Sequence, residues 1–347
     1  MQTIKLGNIE KLIIHTIGNK NNEDGVNFSD SLTDFGSVED IIRKLVEKNF
    51  KFEELYQFYF VPNLDLNPMY TFISSIFENN SDQNFVEQTK NSGRYLYDKS
   101  THPQIKPGEL YVFYMNQSIL DGEEVDCVGI FKSETKETVL KVENEQSNYR
   151  LRDIHGMNIH KLDKGCLVFN TERKDGYLIA VVDNTNKSSE AQYWRDDFLS
   201  VRPKKNEYHQ TNEFLSIAKQ FVTKQLDEDF DLSRPDKIDM LNRSVDYFKK
   251  HETFDKQEFE EEVFANNGVI ESFRKFDQIY RQENEMELPD SFEISAKAVK
   301  KQSRIFKNVL KLDKNFDIYI HGNRDLIEQG VDENGRKYYK IYYNEEN

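Results

Sequence analysis

The chain has 347 residues and a net charge of −15 at pH 7, and its 25 Phe and 18 Tyr residues exclude a disordered chain. The length allows two or three domains with a real hydrophobic core. Nonspecific affinity for DNA comes mainly from cations that displace phosphate counterions. The net charge therefore excludes DNA binding over the whole surface, and any DNA contact must use a local basic patch or a partner protein.

Residues 1–205 begin with a mixture of strands and helices. Ile9–Ile17 is predicted to be a strand, and helices are predicted near residues 38–46, 68–78 and 84–97. Short segments rich in Val, Ile, Tyr and Phe follow, and each is predicted to be a strand. They are Glu109–Asn116, Asp126–Lys132, Thr138–Val142, Met157–Leu162, Cys166–Thr171 and Tyr177–Asp183. Their close spacing favours an antiparallel meander over βαβ units.

Residues 206–290 have a helical pattern. Phe214, Leu215, Ala218 and Phe221 lie on one face of a first predicted helix, and a later helix is predicted over Lys256–Phe264. Residues 251–290 carry 12 acidic and 4 basic side chains, a net charge of −8. We expect this surface to repel nucleic acid.

Residues 291–347 combine a helix with strands. The periodicity predicts a helix from about Ile294 to Leu312 and a strand over Phe316–Ile320. Asn334-Gly335 then predicts a hairpin turn. The predicted fold class is thus α+β: a domain 1–205 with a mostly antiparallel sheet and helices, a helical section 206–290, and a C-terminal basic helix plus β-hairpin 291–347.

The segment 294–314 is the most basic part of the chain, with a net charge of +6. On a continuous helix its cations would fall within roughly 140° of arc, opposite an apolar face. The candidate DNA-binding residues are Lys297, Lys300, Lys301, Arg304, Lys307 and Lys311, and Lys314 continues the pattern. The alternative interpretation is a solvated amphipathic helix that offsets the acidic segment upstream. Because no recognition-helix pattern is present, we expect any DNA contact to be largely independent of sequence.

A second, weaker basic spot consists of Arg202, Lys204 and Lys205. It lies between the β-rich and the helical parts of the chain. It is interpreted as a linker, with a secondary basic binding spot as the alternative.

The pattern of nucleophiles and metal ligands does not favour catalysis. Cys127 and Cys166 lie in apolar runs and are predicted to be small buried hydrophobes. The seven histidines match no common zinc motif, and no glycine-rich phosphate loop is found, so neither a metal nor a cofactor is predicted. Asp126, Glu137 and Lys141 could form the site of a metal-dependent nuclease if they met at one metal ion. The favoured interpretation is an ordinary hairpin with a charged solvent face.

The expected location is the cytoplasm. The N-terminus lacks the apolar run of a signal peptide, and no segment approaches the roughly 18 apolar residues of a membrane span. We therefore expect no membrane partner.

Several long segments resemble the bacterial nucleoid-associated protein family of about 37 kDa. They are Gly165–Thr171, Asp183-Asn184, Glu190–Leu199, Ala298–Lys301 with Phe306-Lys307, and Leu312–Gly322. The resemblance implies a non-enzymatic protein of the bacterial nucleoid, without catalytic residues or a cofactor. Within the third segment, Trp194 is predicted to be a buried packing anchor.

Two binding hypotheses follow. The first is a nucleoid-associated protein that contacts DNA, or a DNA-bound partner, through the helix 294–314. The second is a protein–protein adaptor with no nucleic-acid contact. Assembly as a homodimer is compatible with both hypotheses.

Overall fold

A computed structural model describes residues 4–185, 193–304, 306, 309–320 and 324–345. The chain divides into two compact units, Met1–Lys204 and Lys205–Asn347. The helical section and the C-terminal section expected from the sequence both fall within the second unit.

The first unit is built on one antiparallel sheet. Its strands are β1 (Ile4–Lys5), β2 (Asn8–Ile17), β3 (Val26–Asn27), β4 (Leu55–Phe58), β5 (Gly108–Leu120), β6 (Glu123–Ser133), β9 (Lys164–Phe169), β10 (Leu178–Asp183) and β11 (Val201–Pro203). The order across the sheet is β11-β4-β10-β9-β6-β5-β2-β3, and β1 pairs with β5. The antiparallel sheet and the α+β class predicted from the sequence are confirmed.

Both faces of this sheet are covered, because alternate side chains of each strand point to opposite faces. On β5, Val112 packs in one core and Phe113 in the other. The helices are α1 (Glu39–Asn49), α2 (Pro68–Glu78) and α3 (Asp82–Lys99). Helices α2 and α3 cover one face together with the fully buried Trp194, and α1 covers the other. The prediction that Trp194 is a packing anchor is confirmed.

A two-stranded ribbon connects β6 to β9. It consists of β7 (Lys136–Glu145) and β8 (Asn148–Met157), which pair with each other and form a sheet of their own. The predicted strand Met157–Leu162 is wrong, since β8 ends at Met157. The charged residues of β8 lack the apolar alternation that predicts a strand, and cross-strand pairing with β7 makes them one.

The second unit has a helical core. Its helices are α4 (Glu207–Gln220), α5 (Leu226–Asp229), α6 (Arg234–Lys250), α7 (Lys256–Phe264), α8 (Asn267–Glu283) and α9 (Ala296–Ser303), and a π-helical turn over residues 221–225 joins α4 to α5. Short strands β12 (Thr253–Asp255) and β13 (Ser291–Glu293) pair with each other. Phe214 lies at the centre of the core, with its ring 4.2 Å from Phe254 and 5.1 Å from Phe259 between centroids.

Two short hairpins end the second unit. They are β14 (Val309–Leu312) with β15 (Phe316–Tyr319), and β16 (Ile327–Val331) with β17 (Lys337–Ile341). Gly335 has a φ of +79° at the second turn, so the hairpin predicted from Asn334-Gly335 is confirmed.

The predicted helix Ile294–Leu312 is wrong in its C-terminal half. Helix α9 ends at Ser303, and Val309–Leu312 is a strand. Leu310 is buried with Ile238, Ile320 and Ile327, whereas its neighbour Lys311 is exposed. This alternation of buried and exposed side chains belongs to a strand, and it places the last predicted cations on a hairpin.

Candidate nucleic-acid interface

Helix α9 is anchored to α4 by its polar side chains. The Ser295 backbone N–H donates to Thr211 Oγ1 at 3.0 Å. Gln302 Nε2 donates to Asn212 Oδ1 at 2.5 Å and to Ser216 Oγ at 3.4 Å. With Ala298 and Val299 also buried, these contacts fix the rotation of the helix about its axis.

The rotation turns the basic side chains outward. Lys300, Lys301 and Arg304 are exposed and Lys297 is half-buried. The Lys301 ammonium lies 5.5 Å from the centre of the Tyr208 ring. Among the residues that the structure describes, no carboxylate lies within ion-pairing distance of Lys300 or Arg304, so these two cations can meet an external anion without breaking an ion pair.

Helix α4 adds a cation that the sequence analysis missed. The Lys219 ammonium lies 5.9 Å from the centre of the ring of Phe306, which is buried just beyond the end of α9. Lys219 follows Ser216 by three positions on the same helix, and Ser216 contacts Gln302. We call Lys219, Lys297, Lys300, Lys301 and Arg304 the α9 patch.

The remaining candidates of the predicted stripe are not on this helix. Lys311 lies on β14, with its ammonium 3.7 Å from the Asp317 carboxylate on the neighbouring strand. Lys314 lies in the turn between β14 and β15, and Lys307 falls outside the described residues. The continuous helical stripe expected over residues 294–314 is therefore wrong, since α9 ends at Ser303 with Arg304 as its C-cap residue.

Only part of the second basic spot lies in a linker. Arg202 lies on β11 at the sheet edge, with its guanidinium 4.5 Å from the centre of the Tyr59 ring. Lys204 forms an ion pair with Glu172, and Lys205 forms one with Glu287 at 2.5 Å. Since both lysines are paired with the protein's own carboxylates, this spot is less suited to bind phosphate than the α9 patch.

The surface next to the start of α9 is mixed in charge. A groove there is lined by Lys249, His251, Glu252 and Glu293, together with Ile294 and Ala296. Its two carboxylates oppose an anion. This groove is thus less suited to an anion than the exposed Lys300 and Arg304 side chains are.

His251 faces two carboxylates of α7. Its Nδ1 is 3.7 Å from Glu258 and its Nε2 is 3.5 Å from Glu262. The Tyr247 ring stacks on the imidazole with 4.3 Å between centroids, and its hydroxyl donates to Glu258 at 2.8 Å. The common metal-ligand motifs do not predict this group of His251, Glu258 and Glu262. Its carboxylates lie one helical turn apart and follow the histidine by seven and eleven positions. The imidazole is already contacted through both nitrogens.

Three buried charges lie at one end of the large sheet. The ammonium groups of Lys132 and Lys164 are each 3.1 Å from an oxygen of Glu134. Tyr193 donates to Glu134 at 3.0 Å, and Lys132 donates to the Lys106 carbonyl at 2.7 Å. Burial lowers the pKa of Lys132. These groups pair and hydrogen-bond with one another, which is typical of a structural ion network.

The nuclease site considered for Asp126, Glu137 and Lys141 is not assembled. Asp126 accepts a hydrogen bond from Tyr114 at 2.6 Å near the start of β6, whereas Glu137 follows the end of that strand. The seven residue-to-residue steps from Asp126 to Ser133 span about 23 Å. Lys141 pairs with Glu143 at 3.0 Å on the ribbon. The three groups therefore do not converge on one metal ion.

Both cysteines are free and fully buried, as predicted. Burial raises the pKa of each thiol well above its ordinary value. Thiols that remain protonated and inaccessible are poor nucleophiles.

The described parts of the chain contain no helix with both the length and the apolar character needed to cross a bilayer.

The described residues thus form an acidic α+β protein in which helix α9 exposes basic side chains. The family model described as nucleoid-associated protein YejK matches residues 13–336. The chain belongs to this family of bacterial nucleoid-associated proteins, which lie with the nucleoid in the cytoplasm. No curated protein matches the sequence.

Proposed function

We propose that this protein binds duplex DNA directly and without strong sequence preference, and that the α9 patch is the contact surface. The observation that carries the proposal is the exposure of Lys300 and Arg304 with no described carboxylate in ion-pairing distance, in a chain with a net charge of −15. Membership of a nucleoid-associated family supports it.

The charge distribution limits the contact to a small footprint. Lys219, Lys300, Lys301 and Arg304 offer about four phosphate contacts, and the neighbouring groove contains Glu252 and Glu293. Phosphate contacts position a protein on DNA but do not read its sequence. The proposed role is binding along the nucleoid and not catalysis.

A charge reversal on α9 tests the proposal. We expect Lys300→Glu/Arg304→Glu to lower the affinity for a 30-base-pair duplex at least tenfold at about 50 mM salt, because two attractive contacts become repulsive. Fluorescence anisotropy of the labelled duplex measures the change.

The matched control is Arg336→Glu/Lys337→Glu, which makes the same change in net charge where the exposed turn after β16 meets the start of β17. This control is expected to retain most of the wild-type affinity. Equal losses in both variants would show that net charge, and not the α9 patch, governs binding. Unchanged affinity in the α9 variant would place the DNA contact elsewhere on this chain, and no binding by the wild type would favour contact through a DNA-bound partner protein.

A further inference from the structure

His251 lies between two helices of the second unit, at a point where two carboxylates face it. It is the C-cap residue of α6. Glu258 and Glu262 are one turn apart on α7 and therefore project from the same side of that helix. The Phe248 and Phe259 rings, 5.8 Å apart between centroids, pack α6 against α7 in the core. The three polar side chains are thus carried by elements whose relative position is fixed by packing.

The distances within this group suit metal coordination better than hydrogen bonding. His251 Nδ1 lies 3.7 Å from Glu258 and Nε2 lies 3.5 Å from Glu262, whereas N–H···O hydrogen bonds are about 2.7–3.2 Å long. Around a tetrahedral zinc ion, with metal–ligand bonds of about 2.0–2.2 Å, neighbouring ligand atoms are about 3.4 Å apart. One ligand atom from each residue lies within 4.8 Å of the other two. Because both glutamates are exposed, small rotations of their side chains bring all three atoms within bonding distance of one ion.

The two carboxylates have no Lys or Arg partner among the described residues. His251 is the one ionic partner that the described ranges give to Glu258 and Glu262. The neighbouring Glu260, by contrast, pairs with Arg274 at 2.7 Å. Like charges four positions apart on a helix repel each other, and Glu262 also lies in the last turn of α7, where the helix dipole disfavours a carboxylate. A divalent cation held by both carboxylates offsets these two unfavourable interactions.

Tyr247 orients two of the three side chains from outside the group. Its ring stacks on the His251 imidazole, with 4.3 Å between centroids and 21° between planes, and its hydroxyl donates to Glu258 Oε2 at 2.8 Å. The Asp255 backbone N–H donates to the same hydroxyl oxygen at 3.2 Å. Burial raises the pKa of Tyr247, so the hydroxyl remains a donor. Metal ligands in proteins are ordinarily held in place by outer hydrogen bonds of this kind.

We propose that His251, Glu258 and Glu262 bind a divalent transition-metal ion of the zinc class, with water in the remaining coordination position. An imidazole nitrogen together with two carboxylate oxygens suits Zn²⁺, whereas Mg²⁺ and Ca²⁺ prefer oxygen ligands alone. A bound ion would join the end of α6 to α7 and so stabilise the second unit. The site shares no residue with the α9 patch, and its test is therefore independent of the proposed DNA binding.

Isothermal titration calorimetry of Zn²⁺ into the chelator-treated full-length chain, without DNA, tests the proposal. The wild type is expected to bind one Zn²⁺ ion per chain most tightly, and Mg²⁺ about a hundredfold more weakly. His251→Gln is expected to weaken Zn²⁺ binding at least tenfold, because it removes the nitrogen ligand. The matched control is His155→Gln on the ribbon, where the imidazole Nε2 lies 3.3 Å from the Asp153 carboxylate. This control is expected to keep the wild-type affinity.

Two further variants separate the proposed ligands from ordinary surface carboxylates. Glu262→Gln is expected to weaken Zn²⁺ binding at least tenfold. Its matched control is Glu261→Gln, which removes the neighbouring exposed carboxylate of α7, a group that accepts a hydrogen bond from Gln257 at 3.0 Å. Tyr247→Phe keeps the ring and removes the hydroxyl, and it is expected to weaken Zn²⁺ binding about tenfold.

Three results would overturn the proposal: no Zn²⁺ binding by the wild type, wild-type affinity in His251→Gln, or equal losses in Glu262→Gln and Glu261→Gln. Thermal unfolding supplies a second readout, since an ion that binds only the folded chain raises its Tm. Saturating Zn²⁺ is expected to raise the Tm of the wild type and to leave that of His251→Gln unchanged. An equal rise in both proteins would also contradict the proposed site.

Discussion

Glu134 is the carboxylate on which the buried ammonium groups of Lys132 and Lys164 depend. Its side chain is 5% exposed, and those of the two lysines are 0% and 1% exposed. A charge that is buried without a counterion is strongly destabilising. The stability of the first unit is therefore sensitive to this single residue.

We expect Glu134→Gln to lower the free energy of unfolding by about 3–5 kcal/mol, since both buried ammonium groups lose the Glu134 carboxylate, and Lys164 keeps the Asp183 carboxylate at 3.8 Å. Urea unfolding followed by the fluorescence of Trp194, which packs in the same unit, measures the loss. Glu145→Gln removes an exposed partner of Arg150 and serves as the control, with an expected loss of about 1 kcal/mol or less. Equal losses in the two variants would contradict the structural role of the network.

Single residues were predictable from the sequence where apolar character decides their place. Cys127, Cys166 and Trp194 are buried as expected, because each lies in an apolar run or among aromatic residues. The Lys132–Glu134–Lys164 network was not predicted, since charged residues at strand ends ordinarily face water. Nothing in the sequence shows that Lys164 and Glu134, thirty positions apart, meet at one end of the sheet.

At the scale of elements, strand and helix types were more predictable than their ends. The hairpin at Asn334-Gly335 was predictable because its turn conformation favours those residues. The end of α9 was not, since Leu310 and Leu312 fit a helical period in a short window and also alternate with Lys311 as in a strand. Burial of Leu310 against Ile238 in α6 decides between the two.

The shorter α9 changes which residues complete the basic surface. Lys219 on α4 takes part in the α9 patch, whereas Lys311 lies on a hairpin beside Asp317. Periodicity within one helix cannot identify a cation contributed by a neighbouring helix. Tertiary packing through Gln302 brings the two helices together.

We expect Lys219→Glu to weaken DNA binding several-fold. We also expect the log–log slope of affinity against salt to become shallower by about one, which corresponds to one lost phosphate contact. The same anisotropy assay measures both effects. Lys275→Glu, on α8, changes the net charge equally and is expected to have little effect. Wild-type affinity in the Lys219 variant would remove α4 from the contact surface.

At the scale of the whole molecule, charge is the feature that relates structure to role. The chain is strongly acidic, yet it belongs to a nucleoid-associated family. A small basic surface on an acidic body is expected to bind DNA weakly, because few counterions are released and long-range repulsion persists. The acidic net charge follows from the sequence alone, since net charge does not depend on the fold.

The salt dependence of DNA affinity in the wild-type protein tests the central claim most directly. Anisotropy titrations between about 50 and 200 mM salt are expected to give a log–log slope near −4, as about four phosphate contacts require. The variant Lys300→Gln/Arg304→Gln, in which uncharged side chains replace two cations, is expected to have a slope near −2. A slope near zero in the wild type, or the same slope in both proteins, would contradict direct binding through the α9 patch.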